Sequence, residues 1–333
     1  MQLSKALGAL ALASAVAALT GCGVTTSKSA SPSSTTTASW HPAHAITVVI
    51  PYPPGGASDI IARIVNQFAV PVFGHHFIFR YDPGAGGALG ATDIADAPPN
   101  GYTIGTVNFP EITVQPLAGV GNFKPSSFDY LAQMVGDPQT IATLKGSQYP
   151  TLASLVAAAR KNPGRVTVGI PTTLDNTQFV LLDLEKDAHV KFTIIPYTGG
   201  APETAALLGN HIDAAMVNFS VSKPIAPEVN FLAVSAAKPF KLLPGVKTFA
   251  EQGYPIVTDD GRLFVAPKGL PSPVLATLRQ GFKKIYDNPK FQALMKKDSQ
   301  PTGYLSGSAA EQEVVSYQKP AYALLKEFNL LKQ

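Results

Sequence analysis

Pro51-Tyr52-Pro53-Pro54-Gly55-Gly56-Ala57-Ser58-Asp59 stands between a β-branched run at 46–50 and a stretch in which Ile60, Ile61, Ile64, Val65 and Phe68 recur at helical spacing. A strand that leads through paired glycines into an amphipathic helix is a βα unit. The glycines allow close approach of a ligand to the backbone, and Ser58 or Asp59 is placed to cap the first turn. The unpaired amides of such a turn carry about half a positive charge and bind anions without a basic side chain. The same device recurs downstream, where a strand at 192–196 runs into Tyr197-Thr198-Gly199-Gly200-Ala201, with Pro202 at a first helical position and Gly209 as terminator. One Gly-Gly pair permits a tight turn and nothing more. Two, each beside Tyr and Pro, suit a cleft in which a carboxylate is held between two sets of backbone amides.

Outward from these units, short β-branched runs alternate with Ala/Leu-rich amphipathic stretches, the pattern of an α/β fold with mainly parallel sheets flanked by helices. Strands are predicted at 46–51, 77–80, 103–108, 165–170, 192–196, 214–218, 231–235 and 263–266. Helices are predicted at 58–68, 87–95, 151–162, 174–186, 202–208, 273–287, 289–297 and 308–328, the last kinked or split by Pro320. Two comparable sets of strand–helix units followed by a helix-rich tail imply two lobes, the first at 45–138 and 262–333, the second at 139–261.

The amino terminus reads as export machinery. Lys5 is followed by an apolar run at 6–19, too short to span a bilayer but suited to a signal-peptide core. It ends in Leu19-Thr20-Gly21-Cys22, a bacterial lipobox, so 1–22 is expected to be a lipoprotein signal peptide with lipidation on Cys22, the chain's single cysteine. A lone cysteine forms no internal disulfide, and lipidation protects it in an oxidising compartment. The Ser/Thr-rich segment 23–44 is expected to be a tether with little to bury, spanning roughly 5–6 Å times the square root of its length.

Roughly 290 residues remain, enough for two lobes with their own cores. Charged residues make up 14% against 45% hydrophobic, and the net charge of +4 is dispersed, so no basic stripe offers a nucleic-acid surface. No apolar stretch after the leader approaches membrane-helix length, so the lipid is the expected membrane attachment. Neither metal nor cofactor is expected. His41, His44, His75, His76, His189 and His211 form no ligand or catalytic spacing, and no Gly-x-Ser-x-Gly occurs, which argues against an enzyme. Gly84-Ala85-Gly86-Gly87-Ala88-Leu89-Gly90 follows a strand and opens a helix, but it lacks the dinucleotide spacing and a following acidic ribose ligand.

In combination, five strings resemble the receptor subunit of tripartite tricarboxylate transporters, the Bug family of periplasmic binding proteins. They are residues 50–63, beginning Ile50-Pro51-Tyr52-Pro53-Pro54-Gly55-Gly56; Pro83-Gly84-Ala85-Gly86-Gly87-Ala88-Leu89-Gly90; Pro98-Pro99-Asn100-Gly101-Tyr102-Thr103; Pro196-Tyr197-Thr198-Gly199-Gly200-Ala201; and Leu207-Leu208-Gly209-Asn210-His211-Ile212-Asp213. Leu243-Pro244-Gly245-Val246 with the residues to Gly253 extends the similarity over nearly the whole mature chain. The resemblance implies a Venus-flytrap fold, type II-like, that grips a ligand carboxylate through main-chain amides and water. It assigns Tyr52, Gly55, Gly56, Ala57, Ser58 and Asp59 to one jaw and Tyr197, Thr198, Gly199, Gly200 and Ala201 to the other, with Asn108 and Asn218 as side-chain contacts. The implied partners are a small carboxylate ligand and the membrane subunits of a tripartite transporter, served by a monomer.

Two departures bear on specificity. Asp82 stands where the family has Arg, and Ile170-Pro171-Thr172-Thr173-Leu174-Asp175-Asn176 replaces a Gly/Ser-rich loop that reads the distal end of the ligand, which makes Thr172, Thr173 and Asn176 candidate specificity residues. The alternative function is ligand sensing for a two-component system, which the same closure would serve.

Overall fold

In the computed structural model, which describes residues 40–332, the first parallel layer centres on β1 (Thr47–Ile50), whose Val48, Val49 and Ile50 are buried. The predicted signal peptide, Cys22 and the tether up to residue 39 lie outside the described residues. At the end of the expected tether, Trp40 and His44 pack on Tyr102, with ring centroids at 5.6 and 3.8 Å.

From β1 the chain passes through α1 (Ala57–Asn66) and α2 (Val70–Phe73) to β2 (Ile78–Tyr81), then through α3 (Ala88–Ala95) to β3 (Thr103–Phe109) and α4 (Glu111–Leu117). β1 pairs in parallel with both β2 and β3. α1 is held because Ile61, Ala62, Ile64 and Val65 recur on one face and are buried. After a long strand, β4 (Phe128–Leu144), a second set follows: α5 (Leu152–Lys161), β5 (Thr167–Ile170), α6 (Asn176–Ala188), β6 (Thr193–Pro196), α7 (Gly200–Leu208), β7 (Ala214–Asn218), α8 (Phe219–Ser222) and β8 (Val229–Val234). Here β5 is parallel to both β6 and β7. The tail contains β9 (Asp259–Pro267), α9 (Ser272–Tyr286), α10 (Pro289–Lys297), β10 (Leu305–Ser306) and α11 (Gly307–Glu327).

The strand order is β2-β1-β3-β9-β4-β7-β5-β6, with β8 and β10 added on β4. The two lobes are therefore two parallel trios joined through antiparallel strands. β9 pairs with β3 and with Phe128 to Pro138 of β4, which returns the tail to the first lobe, while the remainder of β4 pairs with β7 and β8. Pro138, which has no N–H to donate, sits where β4 changes partner. One core packs Phe264, Leu278, Phe282, Phe291 and Met295 under β1 and α1; the other packs Leu155, Leu181, Leu184, Met216 and Phe249. No described helix is long and apolar enough to cross a membrane.

The two-lobed α/β class matches the sequence reading, with three corrections. β4 and α4 were not predicted, and β9 begins four residues before the expected 263. The antiparallel pairs all involve β4 or β9, so the sheets are mixed rather than mainly parallel where these strands run. α11 is continuous through Pro320, which lies on the exposed side, where water can satisfy the carbonyl the proline frees.

Candidate functional site

The loop after β1 turns at Gly55, whose φ of +84° suits glycine, and its N–H donates to Asp59 Oδ2 at 2.8 Å. Asp59 Oδ1 also accepts from Arg63 Nε at 2.8 Å and Tyr81 OH at 2.7 Å, so its buried carboxylate braces the loop. Gly56 is the N-cap of α1 in extended conformation, with no side-chain cap. Across the cleft, Gly199 (φ +138°) is the N-cap of α7, again without a side-chain cap. Thr151, Asp175, Asn288 and Ser306 cap α5, α6, α10 and α11 with their side chains, whereas α3, α4 and α9, like α1 and α7, start without one. The first-turn amides of α1 and α7 are thus left to whatever faces them. The loops meet: a methyl group on Gly55 would lie 3.6 Å from Ala201 Cβ, and one on Gly199 would lie 3.3 Å from Pro53 Cδ.

Two adjoining cavities lie where the loops meet. Tyr52, Gly56, Ala57, Ser58, Asn108, Thr172, Gly199, Gly200 and Asn218, all expected from sequence, line an inner cavity of about 30 Å³. Tyr52, Thr172 and Gly199 also line an outer cavity of about 310 Å³, with Tyr197, Thr198 and the 83–87 loop that has the look of a dinucleotide motif. The remaining expected residues do not line either cavity. Gly55 and Ala201 sit at the contact between the loops, Asp59 is turned to its brace, and Thr173 lies behind Thr172 with its carbonyl near Gly86. Asn176 donates to the Asp259 carbonyl at 2.9 Å and accepts from Thr258 at 3.1 Å. Of the two asparagines, Asn108 accepts from Ser58 Oγ at 3.0 Å, and Asn218 donates to Gln139 and Asp260.

Sequence reading missed a buried charged group on the inner wall, made of Glu111 at the start of α4, Asp175 before α6, and Asp260 and Arg262 on β9. Arg262 is 2% exposed; its Nη1 lies 2.5 Å from Asp260 Oδ1 and its Nη2 lies 3.6 Å from Asp137 Oδ2. Burial works against its charge, yet the Asp260 and Asp137 carboxylates outweigh it and raise its pKa. Burial pushes the acids up: Asp137 to about 6 and Asp175 to about 7, with Asp260 also raised. Glu111 is held well above the carboxylate range by burial and then by Asp260 and Asp175. Glu203, beneath the first turn of α7, is likewise raised by burial and then by Asp175. The Asp259-Asp260-Gly261-Arg262 string, charged yet opening straight into an apolar strand, was the available signal. Among the described residues no group of three or more His, Cys, Asp or Glu is disposed to hold a metal ion.

Residues 61–329 match the tripartite tricarboxylate transporter family receptor. The chain belongs to this receptor family. It is 28% identical over 295 residues, 87% of this chain and 89% of the relative, to the UPF0065 protein in gbd 5'region of Cupriavidus necator. The structure of periplasmic binding protein BugD superposes with a TM-score of 0.81 at 25% identity, covering 88% of this receptor and all (100%) of BugD. R. palustris Rpa4515, solved with adipate, shares the fold at 22% identity with a TM-score of 0.82, over 88% of this receptor and 99% of that chain. The 83–87 loop accordingly belongs to a receptor's outer cavity wall, and Asp59 is a brace for its first helix start.

Proposed function

We propose that this receptor is exported, anchored by a lipid on Cys22, and acts as a monomer that closes two lobes on a small carboxylate. The lobes are 45–138 with 262–333, and 139–261, and the captured acid passes to the membrane subunits of a tripartite transporter. One observation carries the reading: two helix starts without side-chain caps, α1 and α7, converge from different lobes on one cavity. Membership of the receptor family supports the transporter as the recipient. The proposed contacts are the amides of Ala57 and Ser58 and at Gly199 and Gly200, with Tyr52, Gly56, Asn108, Thr172 and Asn218 shaping the cavity around them. Binding then follows hinge closure, in which each lobe contributes one anion site.

Native mass spectrometry of the purified receptor is expected to reveal a co-purified small acid, and calorimetry with that acid's methyl ester is expected to show no binding. An ester that binds as well as the acid would refute the carboxylate clamp. Cys22→Ser is expected to move the receptor out of the membrane fraction; persistence there would refute the anchor.

A further inference from the structure

Around the inner cavity the polar atoms left without hydrogen-bond partners are of two kinds. Arg262 Nε is an unpaired donor, Arg262 Nη1 and Asp260 Oδ1 meet only as an ion pair at 2.5 Å, and Glu111 Oε2 is an unpaired oxygen on a side chain 3% exposed. The other two carboxyls on this wall already have partners, Asp260 through Oδ2 and its ion pair with Arg262. Asp175 accepts from Gln178 N–H at 2.9 Å and Thr177 Oγ1 at 2.7 Å at the start of α6, and Asp260 accepts from Asn218. A ligand complementary to this wall brings an acceptor for Arg262 and the helix amides, and a donor for Glu111.

The charges point the same way. The cavity is lined by three carboxyl side chains, Glu111, Asp175 and Asp260, and by one cation, Arg262, already flanked by Asp260 and Asp137. A second carboxylate on the ligand would meet acids with no further cation to offset them. The acids themselves are not disposed to share a metal ion. Resting on the carboxylate reading above, we propose that the ligand is a zwitterion of the amino-acid type, its carboxylate at the two helix starts and its ammonium group on Glu111, and that di- and tricarboxylates are disfavoured.

The groups facing Glu111 are Tyr52 from the loop after β1, Asp175 ahead of α6, Asp260 and Arg262 on β9, and Tyr317 on α11. Burial raises the pKa of both tyrosines, so neither adds a charge, and Arg262 is the one cation among these groups. Burial raises the pKa of Glu111 and an arriving ammonium group lowers it again, so binding shifts the carboxyl toward carboxylate and sends a proton to solvent. Binding of the zwitterion therefore releases a proton, whereas binding of a dianion to the same acids takes one up.

Calorimetry on the whole receptor tests this with butyrate and valerate, their α- and ω-amino derivatives, and succinate and glutarate, each in two buffers of different ionisation enthalpy. The expected result is that an amino acid binds at least about tenfold tighter than its unsubstituted parent, a dicarboxylate no tighter than that parent, with release of up to one proton. Glu111→Gln is expected to reduce the amino-acid preference to within about threefold and to abolish proton release. Tighter binding of a dicarboxylate, or proton uptake with the amino acid, would overturn the inference while leaving the carboxylate clamp standing. Failure of every acid in the series to bind would overturn the clamp itself. Should Glu111→Gln not fold, the sign of the proton exchange in the unmodified receptor decides.

Discussion

Ahead of α1, Gly55 is tied to Asp59, whose carboxylate also holds Arg63 and Tyr81; ahead of α7, Gly199 has no such carboxylate and rests against Pro53 of the facing loop, while Val221 packs behind Gly200. The first helix start is stiffened from within its own lobe by an ion pair. The second takes part of its packing from the opposite lobe, so the closure proposed above would bear on its shape. The acids beside them differ in the same sense. Asp59 is paired with a cation, whereas Glu203 and Asp175, on the α7 side, are buried with raised pKa values and no cation of their own.

The largest effect that would sharpen this contrast is expected at the interlocked start. Gly199→Val puts a side chain at φ +138° and against Pro53, and is expected to lower ligand affinity by about a hundredfold in calorimetry while costing only about 1–2 kcal/mol of stability. Affinity within a few-fold of the unmodified receptor would break the idea that α7 is shaped by closure. At the self-braced start, Asp59→Asn is expected to cost about 2 kcal/mol in denaturant unfolding, because the amide keeps one acceptor oxygen but loses the charge that pairs with Arg63 and turns a donor toward the Gly55 N–H.

On the α7 side the sign depends on pH. A folded pKa of about 7 means that the Asp175 contribution is present at acidic pH and is lost as pH rises through 7. Stability is expected to fall by on the order of 2 kcal/mol between about pH 5 and 8, and Asp175→Asn, which keeps a good helix cap, is expected to flatten that decline. The smallest effect belongs to Glu203→Gln, expected to lie within about 0.5 kcal/mol near neutral pH and to stabilise above it, since its raised pKa makes the acid a liability as pH climbs. A loss at Glu203 as large as at Asp59 would erase the distinction between the two helix starts.

The parallel strands and their helices were legible because each buries one apolar face at a regular period, and most observed boundaries fall within two or three residues of the predicted ones. β4 was not. It is buried along nearly its whole length, yet it includes Asp129, Gln133, Asp137, Pro138 and Gln139, so neither alternation nor an apolar run marks it. Three of them find partners distant in sequence: Asp129 in the amides of Gly269 and Leu270, Gln133 in the Gly303 carbonyl, and Asp137 in Ser220. The site divides similarly. Its glycine loops are local motifs and could be read directly, whereas Glu111, Asp175, Asp260 and Arg262 come from three separate segments and become a group only once β9 lies beside β3, which leads into Glu111, and the start of α6 comes up to them.

β4 also decides what kind of joint this receptor has. Its ladder does not stop between the lobes; at Pro138 and Gln139 it exchanges β9 for β7, so one continuous ribbon of backbone serves both sheets. The closure proposed above would therefore be taken up as torsion in a shared ribbon instead of play in a slack connector. A joint of that type has a resting angle, and a load applied to one lobe is felt by the other.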